Sequence, residues 1–250
     1  MSSAPEMLVP ERFAVALPDG QAVTALHYTS AGSPSEDRGA AANGATLLLA
    51  HGAGAGQHSP FMTSFARAMA GRGIDTVTFN FLYVEQKRRL PDRAPVLEAC
   101  YLAAIAETRR RLAFAGGPLF IGGKSMGGRI ATQVAAADAS LQLTGFVLLG
   151  YPLHPPGRPH QRRDAHLPRV QRPMLFVQGS RDAFGTPSEL EPILSSLTPP
   201  AALHAVEGGD HSFSLPRTAA GRQTAVDDEI RAAVARWIRG HGGGGVSSQA

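Results

Sequence analysis

The chain is poor in the residues that mark several common protein classes. Among 250 residues there is one cysteine, Cys100, and one tryptophan. A lone thiol excludes an intramolecular disulfide and any zinc site built on several cysteines. Cys100 lies in LEACYLAAIAETRRRL, a helix-like segment, and reads as a buried structural thiol. No stretch reaches the roughly 18 consecutive apolar residues of a membrane-spanning helix. MSSAPEMLVPERF lacks the basic start and apolar run of a secretory signal. These absences lead us to expect a soluble, cytoplasmic protein with no membrane partner. Aromatic residues make up only 6% of the chain, and they do not interleave with basic residues along one element. The net charge of +4 and pI near 9.7 therefore do not imply a nucleic-acid partner. No internal repeat of fixed period is evident.

What is present fits a globular α/β core, with 43% hydrophobic and 18% charged residues. RFAVAL (12–17) and AVTALHY (22–28) flank Pro18-Asp19-Gly20, a turn signal, and predict an opening antiparallel hairpin. The stretch from Thr29 to Gly44 is rich in Ser, Gly, Pro, Ala and charge, the composition of a mobile surface loop. Five short apolar runs follow: TLLLA (46–50), DTVTFNF (75–81), PLFIG (118–122), TGFVLL (144–149) and PMLFVQ (173–178). Nearly continuous runs of this length suit strands buried on both faces. Helix-length segments lie between most of them, at Phe61–Gly71, Ala94–Ala115, Met126–Ala137 and Ser188–Ser196. The alternation predicts a mostly parallel, twisted sheet with helices on both faces. A last strand, ALHAV (202–206), precedes VDDEIRAAVARWIRG (226–240), whose Ile230, Val234, Trp237 and Ile238 share one face. We expect one domain over residues 1–240 and a flexible tail over 241–250.

One stretch admits two incompatible chemistries. PLFIGGKSMGGRI, from Pro118 to Ile130, contains Gly-Lys-Ser, as a phosphate-binding loop does, and also Gly-x-Ser-x-Gly, as a nucleophile elbow does. A phosphate loop needs another glycine five residues before Gly123, and that position is Pro118. Leu119–Ile121 are also strand-like where the loop should be. The elbow reading meets its requirements: a strand, a serine on a sharp turn with small residues two positions away on either side, then a helix. Ser125, framed by Gly123 and Gly127, is therefore the candidate nucleophile.

A serine hydroxyl needs a histidine to take its proton and a carboxylate to hold that histidine. In this strand–turn–helix setting the chain order should be serine, acid, histidine. QGSRDAFG places Asp182 just past one apolar run, and EGGDHSF places His211 just past another. Asp210 is a rival acid, but adjacent side chains seldom face each other closely enough to orient an imidazole. Glu207 is a more distant one. His27, His204 and His241 read as ordinary surface or core residues. The oxyanion that forms needs two N–H donors, and we expect Met126, next after the serine, and Ala53, in the small-residue loop AHGAGAGQ. A zinc site from His51 and His58 lacks a third ligand at suitable spacing, and no cofactor is implied.

Taken in order, HGAG followed by PFM, RRLPDRAP (88–95), GGKSMGGR (122–129), LGYPLHPPGRP (149–159), AHLP (165–168), QGSRDAFG (178–185) and GDHSF (209–213) resemble the blocks of a small hydrolase-like family within the α/β-hydrolases. That family includes bacterial hydrolases of the dienelactone-hydrolase-like type, testis-expressed protein thirty, and a hydrolase-like domain in a regulatory subunit of a chromatin acetyltransferase complex. The resemblance implies an α/β-hydrolase fold and a serine triad of Ser125, Asp182 and His211. Dienelactone hydrolases proper use cysteine as nucleophile, where this chain has serine. Some relatives serve as non-enzymatic scaffolds.

The expected function is hydrolysis of a small carboxylic ester or thioester, with acyl transfer and a non-catalytic binding scaffold as alternatives. The segment Tyr151–Arg172 leaves room for little or no cap. With Gly52, its Tyr151 and His154 are candidate substrate contacts, unless its prolines merely stiffen a loop. Two readings also stay open for Lys87, Arg88, Arg89 and Arg93, and for Arg158, Arg162, Arg163, Arg169 and Arg172: solvated loops, or a basic rim that concentrates anionic substrates.

Overall fold

Apolar side chains on both sides of a strand have to be covered twice, and that requirement shapes the architecture. A computed structural model describes residues 9–30, 44–112 and 117–242. Its strands are β1 (Glu11–Ala16), β2 (Ala22–Tyr28), β3 (Thr46–Ala50), β4 (Asp75–Phe79), β5 (Leu119–Lys124), β6 (Gly145–Leu149), β7 (Met174–Gly179) and β8 (Ala202–Val206). The helices are α1 (Pro60–Ala70), α2 (Leu82–Glu85), α3 (Ala94–Leu112), α4 (Met126–Ala137), α5 (Pro187–Ser195) and α6 (Gln223–Gly242). Strands β4, β6 and β7 are buried at every position, whereas β1 alternates buried with exposed, as an edge strand facing water on one side does.

The strands form one sheet in the order β1-β2-β4-β3-β5-β6-β7-β8. β1 and β2 form the antiparallel hairpin and β2 meets β4 antiparallel; every later pairing is parallel. Helices α1 and α6 cover one face, where Met62, Phe65, Met69, Ile230, Val234 and Ile238 meet Leu47, Leu49, Val147 and Val177. On the other face α3, α4 and α5 bring Tyr101, Ile105, Ile130, Val134 and Leu190 against Leu48, Ile121, Leu148 and Phe176. Because the connection after β4 crosses back over β3 to β5, strand order reverses there. A crevice opens at the carboxyl ends of the strands at such a switch point.

The expected elements recur with shifts of a few residues at their ends. The run 75–81 ends as strand at Phe79, since Phe81 caps the short helix α2. A single turn such as α2 is too short to show periodicity in sequence. Two 3₁₀ turns, Leu167–Arg169 and Arg217–Arg222, escape sequence reading for the same reason. Most of the expected loop Thr29–Gly44, the end of the helix expected to reach Ala115, and nearly all of the expected tail lie outside the described residues. No helix among the described residues is long and apolar enough to cross a membrane.

At the switch point, backbone meets backbone. A Cβ on Gly127 would overlap the Ala50 carbonyl, and one on Gly122 would overlap the Val147 carbonyl. Gly127→Val should therefore lower unfolding free energy in urea by about 3 kcal/mol or more. Gly221→Ala, at a position with open space around the missing side chain, should change it by less than about 0.5 kcal/mol.

Candidate active site

Strand β5 turns into helix α4 within a single residue, and that residue is Ser125. Its backbone sits at φ 50° and ψ −114°, a conformation that costs a non-glycine residue about 1–3 kcal/mol. The surroundings enforce it: the Ser125 N–H donates to the Leu149 carbonyl at 2.9 Å, and the Arg129 N–H donates to the Ser125 carbonyl at 3.2 Å. Gly123 and Gly127 let the turn lie against the backbone of β3. The hydroxyl is thereby lifted to the carboxyl end of the sheet.

His211 and Asp182 reach the same place from neighbouring strands. His211 Nε2 lies 2.8 Å from Ser125 Oγ, and His211 Nδ1 lies 2.8 Å from Asp182 Oδ2. A carboxylate can only accept, so Nδ1 carries the proton and Nε2 is free to accept from the serine hydroxyl. Asp182 is 2% exposed and has further donors, the Phe184 N–H on Oδ1 and Gln178 Nε2 on Oδ2, each at 2.8 Å. Gln178 is itself pinned: its Oε1 accepts from the Tyr151 N–H and its Nε2 also donates to the Gly185 carbonyl. On the histidine side, the Phe184 ring stacks on the imidazole with centroids 4.1 Å apart.

The rival acids have other positions. Asp210 Oδ1 accepts the N–H groups of Ser212 and Ser214 at 2.8 and 2.9 Å, so its carboxylate shapes the loop that carries His211. Glu207 is exposed.

Lys124, the residue between Gly123 and the serine, does work that sequence reading did not foresee. Its ammonium donates to the carbonyl oxygen of His211. It also lies over the rings of Phe213, at 5.0 Å, and Phe61, at 5.9 Å. Burial pushes its pKa down to about 8, opposed by the charges of Asp182 and Asp210. The one available signal was a lysine flanked by small residues next to the candidate nucleophile, which in sequence resembles a nucleotide motif.

A cleft of about 660 Å³ opens over these groups, and Ser125, His211, Gly52, Ala53, Met126 and Phe61 are among its walls. The N–H groups of Ala53 and Met126 have no hydrogen-bond partner among the described residues. The loop carrying Gly52 and Ala53 is set by His51, fully buried, whose Nδ1 donates to the Gly52 carbonyl at 2.8 Å while its Nε2 accepts from the Phe81 N–H at 3.1 Å. Burial pushes this imidazole down to about 4, so it stays neutral. Both its ring nitrogens are thus committed, and among the described residues no group of three His, Cys, Asp or Glu side chains has the arrangement of a metal site.

Two of the three candidate substrate contacts are not in the cleft. Gly52 lines it. Tyr151 is fully buried, packs edge-on against Phe176 and donates to the Arg163 carbonyl. His154 is buried with Nε2 3.2 Å from Glu189. The connection that holds them packs down through Leu153, Leu167 and Val170 and contributes Pro152 and Arg163 to the cleft wall. Cys100 is a structural thiol: it is buried, it contacts the Asn80 carbonyl at 3.7 Å, and burial pushes it up to about 12.

Comparison with known proteins bears on the fold. The chain resembles a lidless serine hydrolase of Xanthomonas campestris at 20% identity, with 92% of this chain and 95% of that one covered and a TM-score of 0.67. It resembles a dienelactone hydrolase of Anabaena variabilis at 19% identity, covering 93% and 98%, also with a TM-score of 0.67. The esterase domain of a Rhodothermus marinus protein matches at 14% identity, covering 94% and 99%, with a TM-score of 0.65. At these identities the likeness is one of fold. A family model described as an alpha/beta hydrolase domain matches residues 43–239, and with that match spanning most of the sequence, the chain belongs to the alpha/beta hydrolase family.

Proposed function

We propose that the protein hydrolyses a small carboxylic ester or thioester through an acyl-enzyme on Ser125. The observation that carries this reading is the unbroken chain from Ser125 Oγ through His211 to Asp182, two links of 2.8 Å each, at the floor of an open cleft. Oγ attacks the carbonyl carbon while its proton passes to His211 Nε2. The carbonyl oxygen takes up the displaced electron pair, and the N–H groups of Ala53 and Met126 receive its charge. Asp182 stabilises the imidazolium and keeps the Nδ1–H tautomer.

Collapse of the tetrahedral intermediate breaks the bond to the leaving group, which departs with the proton from Nε2. Water then gives a proton to Nε2 and attacks the acyl carbon, and the second intermediate returns Oγ–H and releases the acid. No metal or organic cofactor enters these steps. A binding scaffold would have no use for all three groups held at hydrogen-bonding distance. The open cleft favours water over another acceptor for the acyl group.

Ser125→Ala should reduce turnover of short 4-nitrophenyl esters by about 10³-fold or more and abolish fluorophosphonate labelling; undiminished labelling of the variant would refute the assignment. Ser125→Gly, which relieves the strained backbone, should be equally inactive yet more stable by about 1–2 kcal/mol in urea unfolding.

Lys124 acts in this reading as a positioning residue, since it holds the backbone of His211 rather than the substrate. The folded state releases its proton near pH 8 while the unfolded lysine keeps it to about 10.5. Between those values the unfolded state binds more protons, so this group makes stability rise with pH. Lys124→Met should lack that rise in thermal-melt series, and its kcat/KM should fall by about 10–100-fold through displacement of the imidazole. A variant with wild-type kcat/KM would remove Lys124 from the machinery.

A further inference from the structure

Two guanidinium groups line the cleft and have no part in the chemistry above. Arg129 stands four residues after Ser125, hence on the same face of α4 and about 6 Å further along the axis. Arg163 comes from the connection between β6 and β7, and both side chains border the cavity that contains Ser125 and His211. Arginine placed against a cavity wall normally meets a carboxylate, because desolvating an unpaired cation is costly. Neither does so here.

Arg129 Nη1 donates to the neutral Gln133 at 3.1 Å, and its Nε is buried with no hydrogen-bond partner. The guanidinium of Arg163 has no hydrogen bond or ion pair among the described residues. The two cations also repel: burial and then the charge of Arg163 both lower the pKa of Arg129, opposed only by weaker contributions from Tyr151 and Glu98.

The remaining charges near the cleft do not neutralise the pair. Asp92 is the acidic residue of the lining; its Oδ1 is taken by Arg88, and its buried Oδ2 has no hydrogen-bond partner and so pairs with neither arginine. Asp164, next to Arg163, is held by both ends of the Arg162 guanidinium at 3.1 and 2.8 Å. His166 is near enough to Arg129 to be depressed by it, to about 4, burial being the larger cause. It is neutral and engaged with Thr132 Oγ1 at 2.8 Å. Lys124 adds a further positive charge to the same wall, while Phe61, Met62, Leu97 and Pro91 supply an apolar stretch beside it. The cleft thus joins a nucleophile, an apolar passage and two uncompensated planar cations.

We propose that Arg129 and Arg163 bind a second, ionised carboxylate of the substrate, so that the preferred substrates are half-esters or half-thioesters of short dicarboxylic acids, or esters whose alcohol part bears the carboxylate. This assignment rests on the ester-hydrolase reading for the reacting group and on the arginine pair for the anion. Planar guanidinium forks match a carboxylate by paired, charge-assisted hydrogen bonds. An uncharged ester of equal length leaves both cations unpaired.

Two measurements separate this site from the hydrolase reading. In the first, kcat/KM is compared for 4-nitrophenyl hydrogen glutarate against 4-nitrophenyl valerate, and for the butanoyl ester of 4-hydroxybenzoate against that of 4-nitrophenol. The wild type should favour the glutarate or the hydroxybenzoate member once corrected for leaving-group reactivity. That ratio should fall about 10–100-fold in Arg163→Gln and in Arg129→Gln, and the arm that responds tells which side of the scissile bond carries the anion. The second measures the thermal shift of Ser125→Ala with monoethyl glutarate and with ethyl valerate, where no turnover is needed. Stabilisation by the glutarate alone, lost when Arg163→Gln is added, supports the site. Equal turnover of charged and neutral esters in the wild type, with no selective stabilisation, overturns the anion site and leaves the hydrolase reading standing. Arginine-dependent stabilisation without turnover of any ester overturns the hydrolase reading and keeps the site.

Discussion

Contact between bare backbones is the constraint from which the rest of the site follows. The turn at Ser125 presses on β3 and β6 so closely that side chains at Gly122, Gly123 or Gly127 would occupy the space of the Ala50 and Val147 backbones. With no Cβ in the way, β5 can end and α4 begin within one residue, and the serine is forced into its left-handed backbone conformation. The cost of that conformation is carried by a core in which strands β4, β6 and β7 are buried at every position. Strain at Ser125 and depth of the core are two sides of one arrangement.

Around this turn the polar groups are fixed in layers. Asp182 is held by Gln178 and the Phe184 N–H, Gln178 by Tyr151 and Gly185, and the His211 loop by Asp210 below and Lys124 behind. Burying a carboxylate demands that its oxygens be satisfied, and here the same donors also aim it at the imidazole. The neutral His51 does comparable work for the loop of Gly52 and Ala53. Rigidity of this kind holds three side chains from different strands within hydrogen-bonding distance of one another.

The uncovered mouth of the cleft has a matching cause. The connection after β6, which in a larger hydrolase has room to build a cap, is here drawn into the core by Leu153, Leu167 and Val170 and tied to α4 through His166 and Thr132. It leaves Arg163 at the wall, beside Arg129 of that helix.

Periodicity and spacing determined the elements and their order, because double-sided burial leaves continuous apolar runs and close backbone approach leaves glycines at set distances from Ser125. They also placed Asp182 and His211, since loops at the carboxyl ends of parallel strands must converge. What they could not decide was the direction in which a side chain points. Tyr151 and His154 have the chemistry of substrate contacts but turn into the core, while Gln178 and Lys124, unremarkable as members of a strand, hold the aspartate and the histidine. Arg163 was one arginine among many in a basic loop until the fold set it beside Arg129 without a carboxylate between them. Local sequence encodes which residues are buried and where the chain turns, but which polar groups meet across elements far apart in the chain depends on how two sheet faces and their helices close together, and only the tertiary structure supplies that.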